Sequence, residues 1–195
     1  MASSEGFQSL EAYYTALAST TPSAGEDLDE RDRSLRYFAV DRSIENGDVP
    51  EDPSVRIRTW ISNLRFLEDE IAHRGSTPTL TQPDTGGGIE DEMRRVIWWK
   101  ADQLRPATRR HHCSYQIRRL EGLTGFSWSP LDDWWDAQLE LYKVFAKARH
   151  APRYRAGGAD RQSARWAQKQ RDLYRRHALD QMRISRLEAT GLWTW

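Results

Sequence analysis

Apolar residues recur along most of this chain at the three-to-four-residue spacing of helices, and no stretch shows the alternation of a strand. Phe7, Leu10, Tyr14, Leu17 and Ala18 form a first stripe. Thr20 to Glu30 reads as a loop running into a second helix, about Leu28 to Glu45, that Asn46–Gly47 stops. The turn Pro50–Pro53 starts a long helix carrying Val55, Ile57, Trp60, Ile61, Leu64, Leu67 and Ile71, with its end near Gly75. Ser76 to Gly88, rich in Thr, Pro and Gly, reads as the longest flexible stretch. Further helices are expected over Glu90–Leu104, closed by Pro106, over Ser114–Leu123, and over Leu131–Ala148 with Trp135, Leu139, Tyr142 and Phe145. Pro152–Gly158 reads as a loop. The class expected is all-α.

The last third carries the strongest pattern. Trp166, Gln170, Leu173 and His177 fall on one helical stripe, then Ala178–Leu179–Asp180 breaks it. Asp180 is placed to cap a short helix holding Ile184 and Leu187, and Gly191 is placed to end it. Trp193 and Trp195 put large apolar rings at a chain end, which predicts a terminus tied down by packing.

The pattern repeats. At an offset of 67 residues Trp166 meets Trp99, Gln170 meets Gln103, Ile184 meets Ile117, Leu187 meets Leu120, Glu188 meets Glu121 and Trp195 meets Trp128. The preceding helix aligns at 75, Trp135 with Trp60, Leu139 with Leu64 and Tyr142 with Leu67. The 8-residue difference falls in the Gly- and Pro-rich loop, where insertions are tolerated. Phe7 to Phe38 outlines a more diverged copy. The expected organisation is a tandem array of small three-helix modules with tryptophan-centred cores: a diverged acidic repeat over 1–53, a second over 54–129 and a third over 130–195.

The third copy, Trp135…Trp166-Ala-Gln-Lys-Gln-Arg171…Tyr174…Leu179…Arg183-Ile-Ser-Arg-Leu187-Glu-Ala-Thr-Gly191…Trp195, resembles the helicase-associated domain. In the second copy Leu104 replaces the arginine at the Arg171 position, and Thr124 stands at the Gly191 position with Gly125 one place on. The resemblance implies a three-helix module found in tandem behind some helicases and in actinobacterial proteins without one. It implies nucleic-acid binding, DNA rather than RNA, and it is compatible with a helicase or other protein partner in trans.

Charge gives the ligand reading a physical basis. Residues 1–93 hold 8 basic and 19 acidic residues, and residues 94–195 hold 21 and 10, so a net charge of zero conceals halves of −11 and +11. The basic half would attract a polyanion; the acidic half would mask it or attract another surface. Arginine outnumbers lysine 25 to 4, which a GC-rich coding genome also produces. No apolar run reaches the roughly 18 residues of a membrane helix, and no signal peptide opens the chain. One cysteine, Cys113, excludes an internal disulfide and fits a reducing compartment. The expected location is cytoplasmic, or on the nucleoid if DNA is the ligand.

Arg165, Lys169 and Arg176 line one flank of the Trp166 helix, with Arg171 and Arg175 on the far side and Arg183 on the helix that follows. Guanidinium groups held on a helix suit bidentate phosphate contact; an ordinary solvated face is the alternative. In the second copy Trp98 points away from the apolar arc among Arg94, Arg95 and Arg105. Such an indole would stack on an unpaired base, cap a protein partner, or pack against the neighbouring repeat. Arg109, Arg110, His111 and His112 form a basic loop suited to phosphate.

His111, His112 and Cys113 are adjacent and cannot close a tetrahedral metal site, and Cys113 has no orienting acid nearby in sequence. Gly86–Gly88 lacks the lysine and the strand of a phosphate loop. Neither a catalytic constellation nor a cofactor site is expected. The function expected is non-enzymatic nucleic-acid binding by the basic faces of repeats two and three. The alternative is a protein–protein adaptor with an acidic N-terminal surface and a basic, Trp98-bearing C-terminal one.

Overall fold

The computed structural model describes residues 2–52, 54–75, 91–149 and 158–195, with side chains from residue 9 and, in the third segment, up to residue 148. Among these residues the chain is all-helical: α1 (Ala2–Ser19), α2 (Leu28–Glu45), α3 (Val55–Arg74), α4 (Asp91–Gln103), α5 (Pro106–Arg109), α6 (Ser114–Glu121), α7 (Pro130–Arg149), α8 (Gly158–Arg175) and α9 (Gln181–Glu188), with no strand. No helix among them is long and apolar enough to cross a membrane. The stretch 76–88 with its glycine run, Pro53 and most of the 152–158 loop lie outside the described residues.

Local chemistry sets the helix ends. Asp27 caps α2, accepting from Glu30 N at 3.0 Å, and Ser54 caps α3. Gly75 closes α3 in the left-handed conformation that lacks a Cβ penalty (φ 72°). Asp180 caps α9 as its spacing predicts, accepting from Arg183 N at 2.9 Å.

Three local expectations need correction. Pro106 ends α4 but also starts the four-residue helix α5, because a proline at the first helical position gives up no hydrogen bond. His177 is not on the α8 stripe: α8 stops at Arg175, and exposed His177 takes the left-handed turn conformation (φ 53°) usually left to glycine. Ala189, not the residue before Gly191, caps the end of α9.

The chain divides into two compact units, Met1–Trp128 and Ser129–Trp195. The stretches expected as repeats one and two thus fall in one unit and share one core. In that core Tyr14, Tyr37, Phe38, Trp60, Ile61, Leu64, Leu67, Val96, Tyr115 and Leu120 are buried together. Trp60 lies edge-on to Trp99 (5.6 Å between ring centres) and to Tyr37 (5.5 Å), and its Nε1 donates to Gln103 Oε1 at 2.9 Å. α2 packs on both α3 and α6 and brings a buried carboxylate with it. Asp41, fully buried, accepts from Arg119 Nε (2.8 Å), Arg65 Nε (2.6 Å) and the Tyr115 hydroxyl (2.6 Å). Arg119 also forks onto both oxygens of Glu68 at 2.7 and 2.8 Å.

The second unit builds a smaller core from α7, α8 and α9: Trp135, Leu139, Tyr142, Trp166, Leu179 and Leu187, with Leu173, Ile184 and Trp193 packed at its edge. Trp135 lies edge-on to Trp166 (5.6 Å) and donates to Gln170 Oε1 at 3.0 Å. The end of the described chain is held as the aromatic pattern predicts. Trp193 sits 4.9 Å from Tyr142, and Trp195 stacks on Tyr174 at 3.9 Å while donating to Glu188 at 2.9 Å.

Candidate nucleic-acid interface

The basic flank of α8 is held by the face opposite it. Trp166, Ala167, Gln170 and Ser163 are buried, which fixes the helix rotation and leaves Arg161, Arg165 and Lys169 outward at successive four-residue steps. Those steps space the three cations about 6 Å apart along the axis. Arg165, Lys169 and Arg176, singled out by their spacing, line a single groove of about 290 Å³ with Gln168, Asp172 and Leu173. Asp172 is engaged by Arg175 (2.8 Å) and by Gln168 (3.1 Å).

Arg165 and Lys169 also border a second hollow of about 330 Å³, between α7 and α8, with Trp134, Gln138 and Arg161. Trp134 leaves half its surface exposed, as a large ring beside three cations. Neither Trp134 nor Arg161 was among the residues expected from the sequence. Trp134 stands beside Trp135, whose match to Trp60 identifies the core indole and leaves its neighbour on the outer face; Arg161 is one step up the Arg165–Lys169 flank.

The other expected residues divide. Arg171 is turned to the end of the described chain, donating from Nε to Thr194 O at 2.7 Å and lying over the Trp193 ring at 4.7 Å. Arg183 pairs with Asp132 at 2.7 Å and lies over Trp135 at 5.4 Å. Both hold the second unit together and stand apart from the α8 flank. Arg175 is exposed but paired with Asp172.

In the first unit the exposed arginines of α4, and Arg105 just after it, each have an acidic neighbour three residues back. Arg94 pairs with Asp91 (3.1 Å), Arg95 with Glu92 (2.7 Å) and Arg105 with Asp102 (3.0 Å). Trp98 among them is 56% exposed. Arg109 lies over the Trp128 ring at 4.3 Å, and Arg110 donates to His111 at 3.3 Å. His112 departs from the basic loop it was read into: it is buried, and burial pushes its pKa below the ordinary 6.5, so it carries no charge for a phosphate at neutral pH. Cys113 is buried as well, and burial pushes its thiol pKa up. Among the described residues no group of His, Cys, Asp and Glu is placed to hold a metal ion.

By unit, the charge separation persists in milder form. Met1–Trp128 holds 16 basic and 21 acidic residues, a net −5, and Ser129–Trp195 holds 13 and 8, a net +5. No family model, curated protein or solved structure matches the chain.

Proposed function

We propose that the protein is a non-enzymatic nucleic-acid-binding protein built on modules of the helicase-associated type, with the α8 flank of the second unit as its main contact. The observation that carries this is the convergence of Arg165, Lys169 and Arg176 on one groove, with Arg165 and Lys169 also bordering the neighbouring hollow that holds Arg161 and the exposed Trp134. Cations in register with a rigid helix suit phosphates, and a neighbouring indole suits an unpaired base.

The module reading is supported by matched contacts. Trp60–Gln103 and Trp135–Gln170 make the same indole-to-amide hydrogen bond. Trp60–Trp99 and Trp135–Trp166 meet edge-on at the same 5.6 Å. Trp128–Glu121 and Trp195–Glu188 close the third helix in the same way, at 2.8 and 2.9 Å. We read α3, α4 and α6 as one module and α7, α8 and α9 as the other. Residues 1–53 are then the acidic, diverged part that modulates binding. The adaptor reading keeps one observation of its own, the exposed Trp98 among arginines already paired with acids.

The test is the triple charge reversal Arg165→Glu, Lys169→Glu, Arg176→Glu, assayed by mobility shift on duplex DNA, single-stranded DNA and RNA. The parent should bind with a steep salt dependence. The variant should lose binding at moderate salt, and the slope of log K against log salt should shrink by about 3 on duplex. Unchanged affinity in a folded variant removes α8 from the interface, and salt-independent binding by the parent favours the adaptor.

A further inference from the structure

The first unit holds a cavity of a different character, and we propose that it binds one nucleotide, its base in an aromatic pocket and its phosphate on three arginines. The pocket, about 520 Å³, is lined from α2, α3, α4, α5, the loop after α5 and the start of α6. That volume suits a small planar ligand, since such sites run from about 300 to 1,000 Å³. Tyr37, Trp60 and Trp99 supply aromatic surface.

The polar side of the pocket contains an unanswered group. His112 is only 8% exposed, and its Nε2 is buried with no hydrogen-bond partner among the described residues. A buried ring nitrogen without a hydrogen-bond partner is rare in folded proteins and points to a missing one. Nucleobases carry both donors and acceptors, as ring N–H, exocyclic amine, ring nitrogen and carbonyl, on a flat ring that suits aromatic walls. The buried carboxamides of Asn63 and Gln116 line the same space, and Gln116 has already committed its oxygen to Cys113 N at 3.1 Å.

The arginines lie next door. A cavity of about 390 Å³ shares Tyr37, Arg56, His111 and Gln116 with the first and adds Arg33 and Arg36. Among the described residues no carboxylate lines it. Arg33 and Arg36 each hold one acid, Glu30 at 2.7 Å and Asp52 at 2.8 Å, so of the five N–H donors on each guanidinium some remain for a phosphate. An aromatic pocket with an unpartnered ring nitrogen, sharing its wall with a cationic hollow, matches base followed by phosphate. The second unit does not repeat the pocket: Leu179 and Arg183 stand at the positions of His112 and Gln116, and Arg183 lies over the indole. The site therefore stands apart from the α8 flank and does not rest on it.

Calorimetry on the full chain tests this with AMP, adenosine and inorganic phosphate, and with a 5′-phosphorylated oligodeoxyadenylate as competitor. AMP should bind one site, more tightly than adenosine or phosphate alone. Arg56→Glu, at an exposed position, and His112→Leu, which copies the second unit, should each weaken AMP about tenfold or more. The α8 triple reversal should leave AMP binding unchanged. Competition by the oligonucleotide identifies the ligand as an unpaired residue of a strand; AMP binding without competition identifies a free nucleotide. No AMP binding at millimolar concentration, or AMP binding indifferent to Arg56→Glu, overturns the proposal.

Discussion

The two units share an indole-to-glutamine centre but treat charge in opposite ways. In the first, Arg119 is buried against Asp41 and Glu68, and Tyr115 and Arg65 complete the cluster. In the second, the position of Arg119 is held by Arg186, which meets Asp136 at 2.7 Å at a partly exposed site, in a geometry too bent for a hydrogen bond. Arg183 and Asp132 form a similar partly exposed pair. The helix that makes the difference is α2. It supplies Asp41, and with it Tyr37 and Phe38, so the face of the first unit's last helix becomes interior. The described helices of the second unit include no counterpart of α2, and its sequence places charged pairs there instead. The first unit is thus stapled from within and bordered by an open pocket, and the second is small with a cationic outward flank.

The largest effect that would sharpen this contrast is at Asp41. Asp41→Ala leaves Arg119 buried without its carboxylate and should cost about 3–5 kcal/mol, read as a lowered unfolding midpoint of the first unit by calorimetry. Asp132→Ala in the second unit removes an exposed-side pair and should cost no more than about 1 kcal/mol. Equal effects at the two positions would end the distinction between interior and surface charge.

The shared centre predicts equal sensitivity. Gln103→Leu and Gln170→Leu each orphan a buried indole N–H and should each cost about 1–3 kcal/mol, measured by urea unfolding. A large loss at one and none at the other would break the equivalence on which the module reading stands.

The smallest effect is a pH dependence confined to the first unit. Burial, the largest influence, and the charges of Arg109 and Arg56 hold the pKa of His112 below 6.5, against the opposing pull of the Gln103 carbonyl and Asp102. The folded pKa lies below the unfolded one, so the stabilisation is complete above 6.5 and is lost as pH falls through the folded value. Glu30 is also held low: burial works against this, but hydrogen bonds from Ser114, Arg33 and Ser34 outweigh it, so its contribution fades only below 4.5. Between 6.5 and 4.5, the melting temperature of the first unit should change less favourably with falling pH in the parent than in His112→Leu, since Glu68, raised by burial, works the other way equally in both. An identical slope in both would remove His112 as the cause.

Much of this was legible in the chain. Helix positions followed from apolar spacing because a core-facing stripe must recur every 3.6 residues, and the ends at Gly75 and Asp180 followed from capping chemistry. The α8 flank was legible for the same reason: once Trp166 and Gln170 are inside, Arg165 and Lys169 must be outside. His112 was misread because two adjacent histidines beside two arginines look alike in sequence, and only packing buries one of them. Trp134 was missed because the match of Trp135 to Trp60 marks the core indole but says nothing of what its outer neighbour borders.

Local periodicity and capping are properties of neighbouring residues, so the sequence alone determined that the described residues are all-helical in class, where most helices begin and end, and which residues of α8 face outward. Asp41 meeting Arg119, 78 residues away, and the joining of Tyr37, Trp99 and His112 around one cavity depend on how helices distant in sequence come together. Only the tertiary structure decided those, because burial and the pairing of charges are set by what approaches from elsewhere in the chain.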